Sequence, residues 1–206
     1  MTRGRFITFE GIEGAGKSSL LRAVATALTG QGRVARTTRE PGGTPLAEDI
    51  RALVLARRAA GMPPATELML MFAARAAHVI QLIEPALARG EWVLCDRFTD
   101  ASHAYQGGGR GIDTGTIDSL SRIAHPGLMP DLTLLLDLPP ELGLARAQGR
   151  GDAGDRFEDE ALGFFTRVRA RYLELAAREP RRVHVLDATR SPEALLEQAL
   201  MLVKTL

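Results

Sequence analysis

The amino-acid sequence contains no asparagine, a single cysteine and only two lysines. Without asparagine, the chain cannot carry the N-K-x-D element with which GTPase switches recognise guanine. The lone Cys95 excludes an internal disulfide and suits a reducing compartment. A net charge of +1 provides no broad positive field, which argues against nucleic acid or a membrane surface as the main partner. These absences favour a small-molecule partner.

The overall composition is that of an ordinary globular protein. The chain has 206 residues, of which 45% are hydrophobic and 25% charged. We expect one domain over residues 1–206, with at most a small mobile insertion. We find no signal-peptide pattern ahead of the first strand and no apolar run that approaches membrane-spanning length. We therefore expect a cytoplasmic protein.

Strand-like apolar runs alternate with helical patterns along the whole chain, which predicts an α/β fold with a five-stranded parallel sheet and helices on both faces. Several runs end in an acidic residue, at the sheet edge where open α/β folds bind ligands. The strands are predicted at 5–10, 33–39, 92–96, 132–137 and 183–187. The helices are predicted at 17–29, 45–56, 66–89, 114–124, 140–148, 158–178 and 192–204. The acidic strand ends are Glu10, Asp96, Asp137 and Asp187.

Residues 11–18, GIEGAGKS, match the pattern G-x-x-x-x-G-K-[ST] between a predicted strand and a predicted helix. Backbone N–H groups of such a loop surround the β-phosphate of a nucleotide, at the positive end of the following helix. We expect Lys17 to reach the β and γ oxygens and the Ser18 hydroxyl to bind Mg²⁺. The predicted ATP-binding loop comprises Gly11, Ile12, Glu13, Gly14, Ala15, Gly16, Lys17, Ser18 and Ser19.

Glu13 is an unusual residue for this loop, because its carboxylate would be repelled by the nucleotide phosphates. It is either a solvated surface residue or directed at a neutral hydroxyl or a metal. We favour the second interpretation.

Two further segments place charge near the same crevice. Asp96 ends the third strand, where it can bind Mg²⁺ directly or through water, unless it is only a turn residue. Arg97 follows it and can neutralise charge between two phosphates. Arg39 follows the second strand beside a Pro-Gly-Gly turn, where it could also be a solvated loop charge.

The helix predicted from Thr66 brings Met71 and Phe72 within one turn of Arg75, so that an apolar side chain and a guanidinium could together hold a planar base. Spacing alone favours a simpler interpretation, in which Phe72 belongs to the core and Arg75 lies on the surface. Among the four histidines we expect only His103 near the site, without a catalytic role.

Taken together, several segments resemble bacterial thymidylate kinases over nearly the full length. TREPGGT and AYQGGGRG are the most specific of them. The segments are GIEGAGKS at 11–18, TREPGGT at 38–44, FAAR at 72–75, DRFTDASHAYQGGGRG at 96–111, PDLTLLLD, DRFE at 155–158 and RARYLELA.

This resemblance implies a P-loop kinase three-layer fold that phosphorylates dTMP to dTDP with ATP and Mg²⁺, in dTTP biosynthesis, as a homodimer. It implies that Glu13 contacts the 3′-hydroxyl of dTMP, Arg97 its phosphate and Arg75 its thymine. Either Met71 or Phe72 would cover the thymine, because the family's phenylalanine usually lies where Met71 stands here. The remaining implied binding residues are Arg39, Ser102, Tyr105 and Gln106 for dTMP, and Asp187 and Thr189 beside the adenine.

The resemblance also implies a short mobile lid over ATP, at about residues 146–158. Because Gly14 occupies the place of a loop arginine found in other members, the catalytic arginine should come from this lid. Arg150 is the first candidate and Arg156 the second, and the resemblance implies that Glu158 assists closure over the acceptor sugar. The alternatives are a kinase for another nucleoside monophosphate or a deoxynucleoside, or a nucleotide-binding switch without catalysis.

Overall fold

The structure, a computed structural model, describes residues 3–58, 60–149, 156–157 and 160–206. Within these residues, five parallel strands form one sheet in the order β2-β3-β1-β4-β5, which confirms the predicted fold class. The strands are β1 (Phe6–Glu10), β2 (Ala35–Arg39), β3 (Trp92–Asp96), β4 (Leu132–Asp137) and β5 (Val183–Asp187).

Helices connect the strands and cover the sheet. Two of the helical segments are π-helices, whose turns are wider than those of an α-helix. The helical elements are α1 (Lys17–Gly30), α2 (Pro45–Leu55), α3 (Pro64–His78), π1 (Val79–Ile83), α4 (Glu84–Ala88), α5 (Thr99–Ser102), π2 (His103–Gly109), α6 (Thr114–Ala124), α7 (Pro140–Gln148), α8 (Leu162–Arg178) and α9 (Pro192–Val203).

The central strands are buried on both faces, as expected for a parallel sheet covered by helices. Successive residues of β1 belong to different apolar clusters: Phe6 packs with Val93, whereas Ile7 packs with Leu94. Strand register brings the carboxyl ends of three strands together, because Asp96 is aligned with Phe9 of β1 and with Arg39 of β2. The sheet therefore assembles one polar edge from distant parts of the chain.

The long helix predicted at 66–89 is interrupted by π1. Pro85 explains the interruption, because it has no N–H to donate to the carbonyl of Gln81 and its ring would crowd that carbonyl in a regular helix. A wider turn just before the proline accommodates both constraints.

The start of α8 and the segment 99–109 also differ from the prediction. Helix α8 begins at Leu162 rather than Glu158, because Ala161 has an extended backbone with ψ 155°. No helix was predicted over 99–109, where the three consecutive glycines at 107–109 suggest a loop. There α5 and π2 pack so closely on α8 that a Cβ on Gly108 would lie 2.8 Å from Arg171 Cβ, and one on Gly109 would clash with Phe164.

The expectation of no membrane-length apolar stretch needs correction. Among the described residues, the helical segment Pro64–Ala88 has 25 residues, and an 18-residue stretch within it has a mean hydropathy of 1.3, sufficient by length and composition to cross a bilayer. Half of its apolar window is buried inside the fold, and its charged Glu67 and Arg75 are buried with partners. These features are those of a core helix.

Candidate active site

A cleft of about 700 Å³ lies at the polar edge of the sheet. Loops after β1, β2 and β3 form its walls together with α3, π2 and Phe157. The lining includes Glu13, Gly14, Gly16, Lys17, Ser18, Ser19, Arg39, Glu40, Met71, Asp96, Arg97, Tyr105, Gln106 and Arg146. Most of the site residues predicted from the sequence therefore meet around one cavity.

The phosphate loop has the backbone that its sequence predicts. Gly16, directly before α1, has a φ of 91°, which an L side chain rarely adopts. Gly14, with a φ of 73°, packs so closely on the backbone of Gly143 that a Cβ there would clash. Glycine is thus required both for the turn of the loop and for its seating against α7.

Lys17 is buried at the floor of this loop, and its ammonium donates a hydrogen bond of 2.9 Å to the Ile12 carbonyl. Burial, followed by the positive charge of Arg97, lowers the pKa of Lys17 to about 8. An anionic phosphate at the loop would favour the charged ammonium. The lysine is positioned to neutralise phosphate charge.

Ser18 and Asp96 meet beside the lysine, as predicted for a metal site. The Ser18 hydroxyl donates a 2.6 Å hydrogen bond to Asp96 Oδ2. Hydroxyl and carboxylate oxygens are ligands that suit Mg²⁺, which commonly takes one or two protein ligands and completes its shell with substrate phosphates and water. The pair fits this ion, although no cluster of three or more His, Cys, Asp or Glu occurs in the described chain.

Glu13 is directed into the cleft rather than to solvent. Its Oε2 accepts a 2.6 Å hydrogen bond from the Tyr105 hydroxyl, and its Oε1 accepts one of 2.8 Å from Arg97 Nη2. The first of these is the kind of neutral hydroxyl partner that we favoured from the sequence. Tyr105 also stacks under the Arg97 guanidinium, 4.6 Å from the ring centre.

Arg97 is fixed by contacts on every side. Among the described residues it is the only non-glycine with a positive φ, 72°, a strained conformation that persists only when its surroundings enforce it. Its Nη1 lies 3.3 Å from the Tyr172 hydroxyl, which itself donates to Glu10 Oε2 at 2.7 Å. Glu10 also accepts a 2.7 Å bond from the Phe98 N–H, directly after Arg97. Burial, followed by the nearby charge of Asp100, raises the pKa of Glu10 to about 8.

Arg75 is buried, so the interpretation of Arg75 as a surface residue is wrong. Its side chain donates to Glu40 at 2.6 Å, to the Ser102 hydroxyl at 3.1 Å and to the Phe98 carbonyl at 3.0 Å. Its guanidinium lies 4.6 Å from the centre of the Phe72 ring. An arginine can be buried in a core only when its donors are satisfied in this way.

Glu40 and His78 complete this network, and sequence reasoning singled out neither. His78 bonds Glu40 Oε1 at 3.0 Å and Thr38 at 2.7 Å. Burial raises the pKa of Glu40, but Arg75 and His78 outweigh it and hold that pKa below its usual value. The expectation that His103 is the only histidine near the site is therefore wrong. His78 contacts Glu40 of the cleft lining, whereas His103 faces Asp118 on α6, 3.3 Å away.

Met71 and Phe72 lie in different environments. Met71 lines the cleft, whereas Phe72 packs in a small apolar cluster with Leu68, Ile117 and Ala124. Of the two candidates for covering a base, the structure places the methionine at the cavity wall.

The remaining predicted residues lie around the rim and beyond. Arg39 lines the cleft and pairs with Glu48 at 2.9 Å. Asp187 accepts bonds from the Thr189 hydroxyl at 2.6 Å and the Thr189 N–H at 3.0 Å, which lower its pKa. Arg146, also on the cleft, donates to the Ala188 carbonyl of the same loop at 3.0 Å.

The predicted lid is described only in part. Arg150 and Glu158 lie outside the described residues. Arg156 is described, and its guanidinium does not line the cleft: it lies 2.8 Å from Glu67 Oε2 and donates to the Val54 carbonyl at 2.5 Å. Its neighbour Phe157 packs 5.9 Å from the Tyr105 ring and does line the cleft.

Comparisons with known proteins agree with this geometry. The thymidylate kinase family model matches residues 9–199. The chain is 58% identical to a thymidylate kinase of Alkalilimnicola ehrlichii, with 95% of this chain and 90% of that protein aligned. It is 52% identical to one of Cupriavidus pinatubonensis, over 99% of this chain and 100% of that protein.

A solved structure supports the same assignment. The crystal structure of thymidylate kinase from Ehrlichia chaffeensis aligns with a TM-score of 0.79 and 30% identity, and covers 98% of this chain and 99% of its own. Sequence, fold and cleft thus lead to one family. The chain belongs to the thymidylate kinase family.

Proposed function

We propose that this protein phosphorylates dTMP to dTDP with ATP as the phosphoryl donor and that the described cleft is the site of the reaction. Membership of the family and full-length similarity to its curated members support the reaction itself. The observation that carries the assignment of the site is one cavity whose lining combines the phosphate loop, Arg97, and Met71 with Gln106.

The chemistry requires positioning and charge neutralisation. The accepting oxygen belongs to a phosphate that is already ionised at neutral pH, so a strong general base is unnecessary. Lys17 binds the donor phosphates, and Arg97 holds the acceptor phosphate in line with them. Ser18 and Asp96 would hold Mg²⁺, which supplies further charge neutralisation on the donor phosphates when bound.

At the acceptor end, Glu13 and Tyr105 contact the sugar, and Arg39 lies at the rim. We assign the plane of the base to Met71 and its polar edge to Gln106, together with Arg75 and Ser102, which are buried and do not themselves line the cleft in the structure. At the donor end, the loop with Asp187 and Thr189 borders the adenine. The hydrogen bonds that already fix Arg75 and Arg97 mean that these groups are oriented before substrate binds, which lowers the cost of binding.

The lid supplies the second catalytic arginine, and we assign this role to Arg150. Arg156 is engaged by Glu67 and Val54 in the structure, so it serves as an anchor. We expect Arg150→Ala to lower kcat by about 100-fold with little change in the KM for dTMP, as for loss of one transition-state donor. Arg156→Ala should mainly raise the KM for dTMP. Steady-state kinetics of both variants tests this assignment. A loss of kcat in Arg156→Ala and a raised KM in Arg150→Ala would exchange the two roles.

A panel of acceptors with Mg-ATP, read by ADP release, tests the proposed reaction. dTMP should exceed dCMP and dGMP by at least about 100-fold in kcat/KM, because a site built to hydrogen-bond one base leaves buried polar groups unpaired with another. Thymidine should also be a poor acceptor, because it lacks the phosphate that Arg97 holds. Preference for a different nucleotide would indicate another kinase. Binding of ATP without acceptor-dependent turnover would indicate a switch.

We also propose that the protein is a cytoplasmic homodimer. Exposed apolar side chains on α3, π1 and α6 support a paired face, with Met69 57%, Ile80 65% and Ile123 78% exposed. Sedimentation of the wild-type chain as a monomer at micromolar concentration would contradict the dimer.

A further inference from the structure

Gln106 has an acceptor without a partner at the substrate end of the cleft. Its side chain lines the cavity and is fully buried, and its Oε1 has no hydrogen-bond partner in the part of the chain that the structure describes. A buried acceptor left unpaired is costly, so such a group at a binding site indicates a ligand that donates to it. The direction of this amide therefore decides what the cleft accepts.

Glu67 determines that direction. Its Oε1 receives the Gln106 Nε2 at 2.8 Å. A carboxylate only accepts hydrogen bonds, so the amide must direct its NH₂ toward Glu67, and its carbonyl oxygen is left for the cleft. The assignment of the two amide ends thus follows from chemistry and does not depend on telling nitrogen from oxygen by position.

Two arginines pair with the carboxylate of Glu67, which is completely buried. Arg110 Nη2 lies 3.2 Å and Arg156 Nη1 2.8 Å from Glu67 Oε2. Glu67 Oε2 has no hydrogen-bond partner among the described residues, so both contacts are ion pairs, and Arg110 Nε also donates to Glu67 Oε1 at 3.4 Å. Burying a carboxylate is costly unless it is paired, and these contacts compensate that cost. Arg110 is itself held by Glu160, 2.6 Å away.

We propose that Glu67 is a specificity-determining positioning residue, which acts through Gln106 to make the site select a base whose ring nitrogen carries a hydrogen. Thymine and uracil have such an imide N–H, whereas the corresponding ring nitrogen of cytosine is an acceptor and would face the Gln106 oxygen. Glu67 lies behind Gln106 and does not line the cleft. This inference rests on the proposed function.

Glu67→Gln tests it with two substrates that differ only in the donor–acceptor edge of the base, dTMP and 5-methyl-dCMP. The new amide can donate, which permits Gln106 to turn its NH₂ toward the base. We expect the ratio of kcat/KM for dTMP over 5-methyl-dCMP to fall at least about tenfold, the scale of one buried hydrogen bond. The ratio should fall because kcat/KM for dTMP decreases, and not because kcat/KM decreases equally for both substrates.

Two further variants separate positioning from mere structure. The double variant Glu67→Gln with Gln106→Glu keeps one carboxylate and one amide but exchanges their positions. An oxygen that can only accept, now that of a carboxylate, again faces the base. We expect it to recover the selectivity that Glu67→Gln loses. Glu160→Gln is the matched control, because it makes the same change one residue further out in the network, and we expect an unchanged ratio.

The outcomes are distinct. An unchanged ratio in folded Glu67→Gln, or equal losses on both substrates, would overturn the proposal. If Glu67→Gln does not fold, the exchanged pair decides, and loss of selectivity there overturns the proposal. If the wild-type protein does not phosphorylate dTMP, the proposed function itself is refuted.

Discussion

Replacing Lys17 with alanine should lower kcat by about 10²- to 10³-fold, the usual cost of removing one preorganised charge from a transition state. The ammonium lies at the floor of the phosphate loop and is buried. ADP release with saturating dTMP and Mg-ATP measures the effect. Near-normal turnover would remove the mechanism proposed above.

The chain offers an unusually clean control for this experiment. Lys204 is the only other lysine, and it is exposed just after α9. Lys204→Ala should leave kcat unchanged. Lys17→Met keeps the apolar stem while it removes the charge, so a matching loss in Lys17→Met separates chemistry from packing. Since burial already disfavours the ammonium, Lys17→Met should not unfold more easily than the wild type.

Arg97→Met should cause a loss of similar size, about 10²- to 10³-fold in kcat, with a higher KM for dTMP. Arg97 is the only described arginine paired with Glu13 and stacked on Tyr105, so no neighbouring group can take its place. Arg97→Lys keeps the charge but loses the planar fork, and should recover only part of the rate. Initial rates at varied dTMP measure both constants.

Arg89→Met provides the matched control for Arg97. Arg89 pairs with Glu91 at 2.7 Å and its side chain is 55% exposed, away from the cleft. Its removal should change neither kcat nor KM. If Arg97→Met retained wild-type kcat while Arg89→Met also had no effect, Arg97 would not be the residue that holds the acceptor phosphate.

Local patterns in the sequence were sufficient for the strands and for the phosphate loop. Four of the five strands are compact apolar runs that end in an acidic residue, and β2, which is polar, is aligned with β3 by the parallel register that joins Asp96 to Phe9 and Arg39. The loop depends on glycines whose spacing is itself the signal. These features were predictable because their causes lie within a few residues of one another.

The buried polar contacts were not predictable in the same way. Arg75 is paired with a residue 35 positions away, and Gln106 with one 39 positions away. Helical spacing around Arg75 contains no information about such partners, so it favoured a surface position. The signal that could have helped is Glu67, which shares a largely apolar helix with Arg75, since a charged residue buried in such a helix requires a partner elsewhere.

π1 was missed for a different reason. The hydrophobic period continues through residues 79–83, and only Pro85 reveals that a regular helix cannot. π2 was not predicted, because glycine is a poor helix former. Gly108 and Gly109 are nevertheless needed there, because π2 approaches α8 too closely for side chains at these two positions.

Glu67 contacts both Gln106, which we place at the base, and Arg156, which belongs to the predicted lid segment 146–158. If a substrate moves one of these two partners, the contact of the other partner with the shared carboxylate changes in free energy. Thermodynamic linkage makes any such effect mutual, so that if thymidylate binding favours lid closure, closure tightens thymidylate binding by the same factor. Under the proposal that Glu67 positions Gln106, this one buried carboxylate would couple selection of the base to closure of the lid.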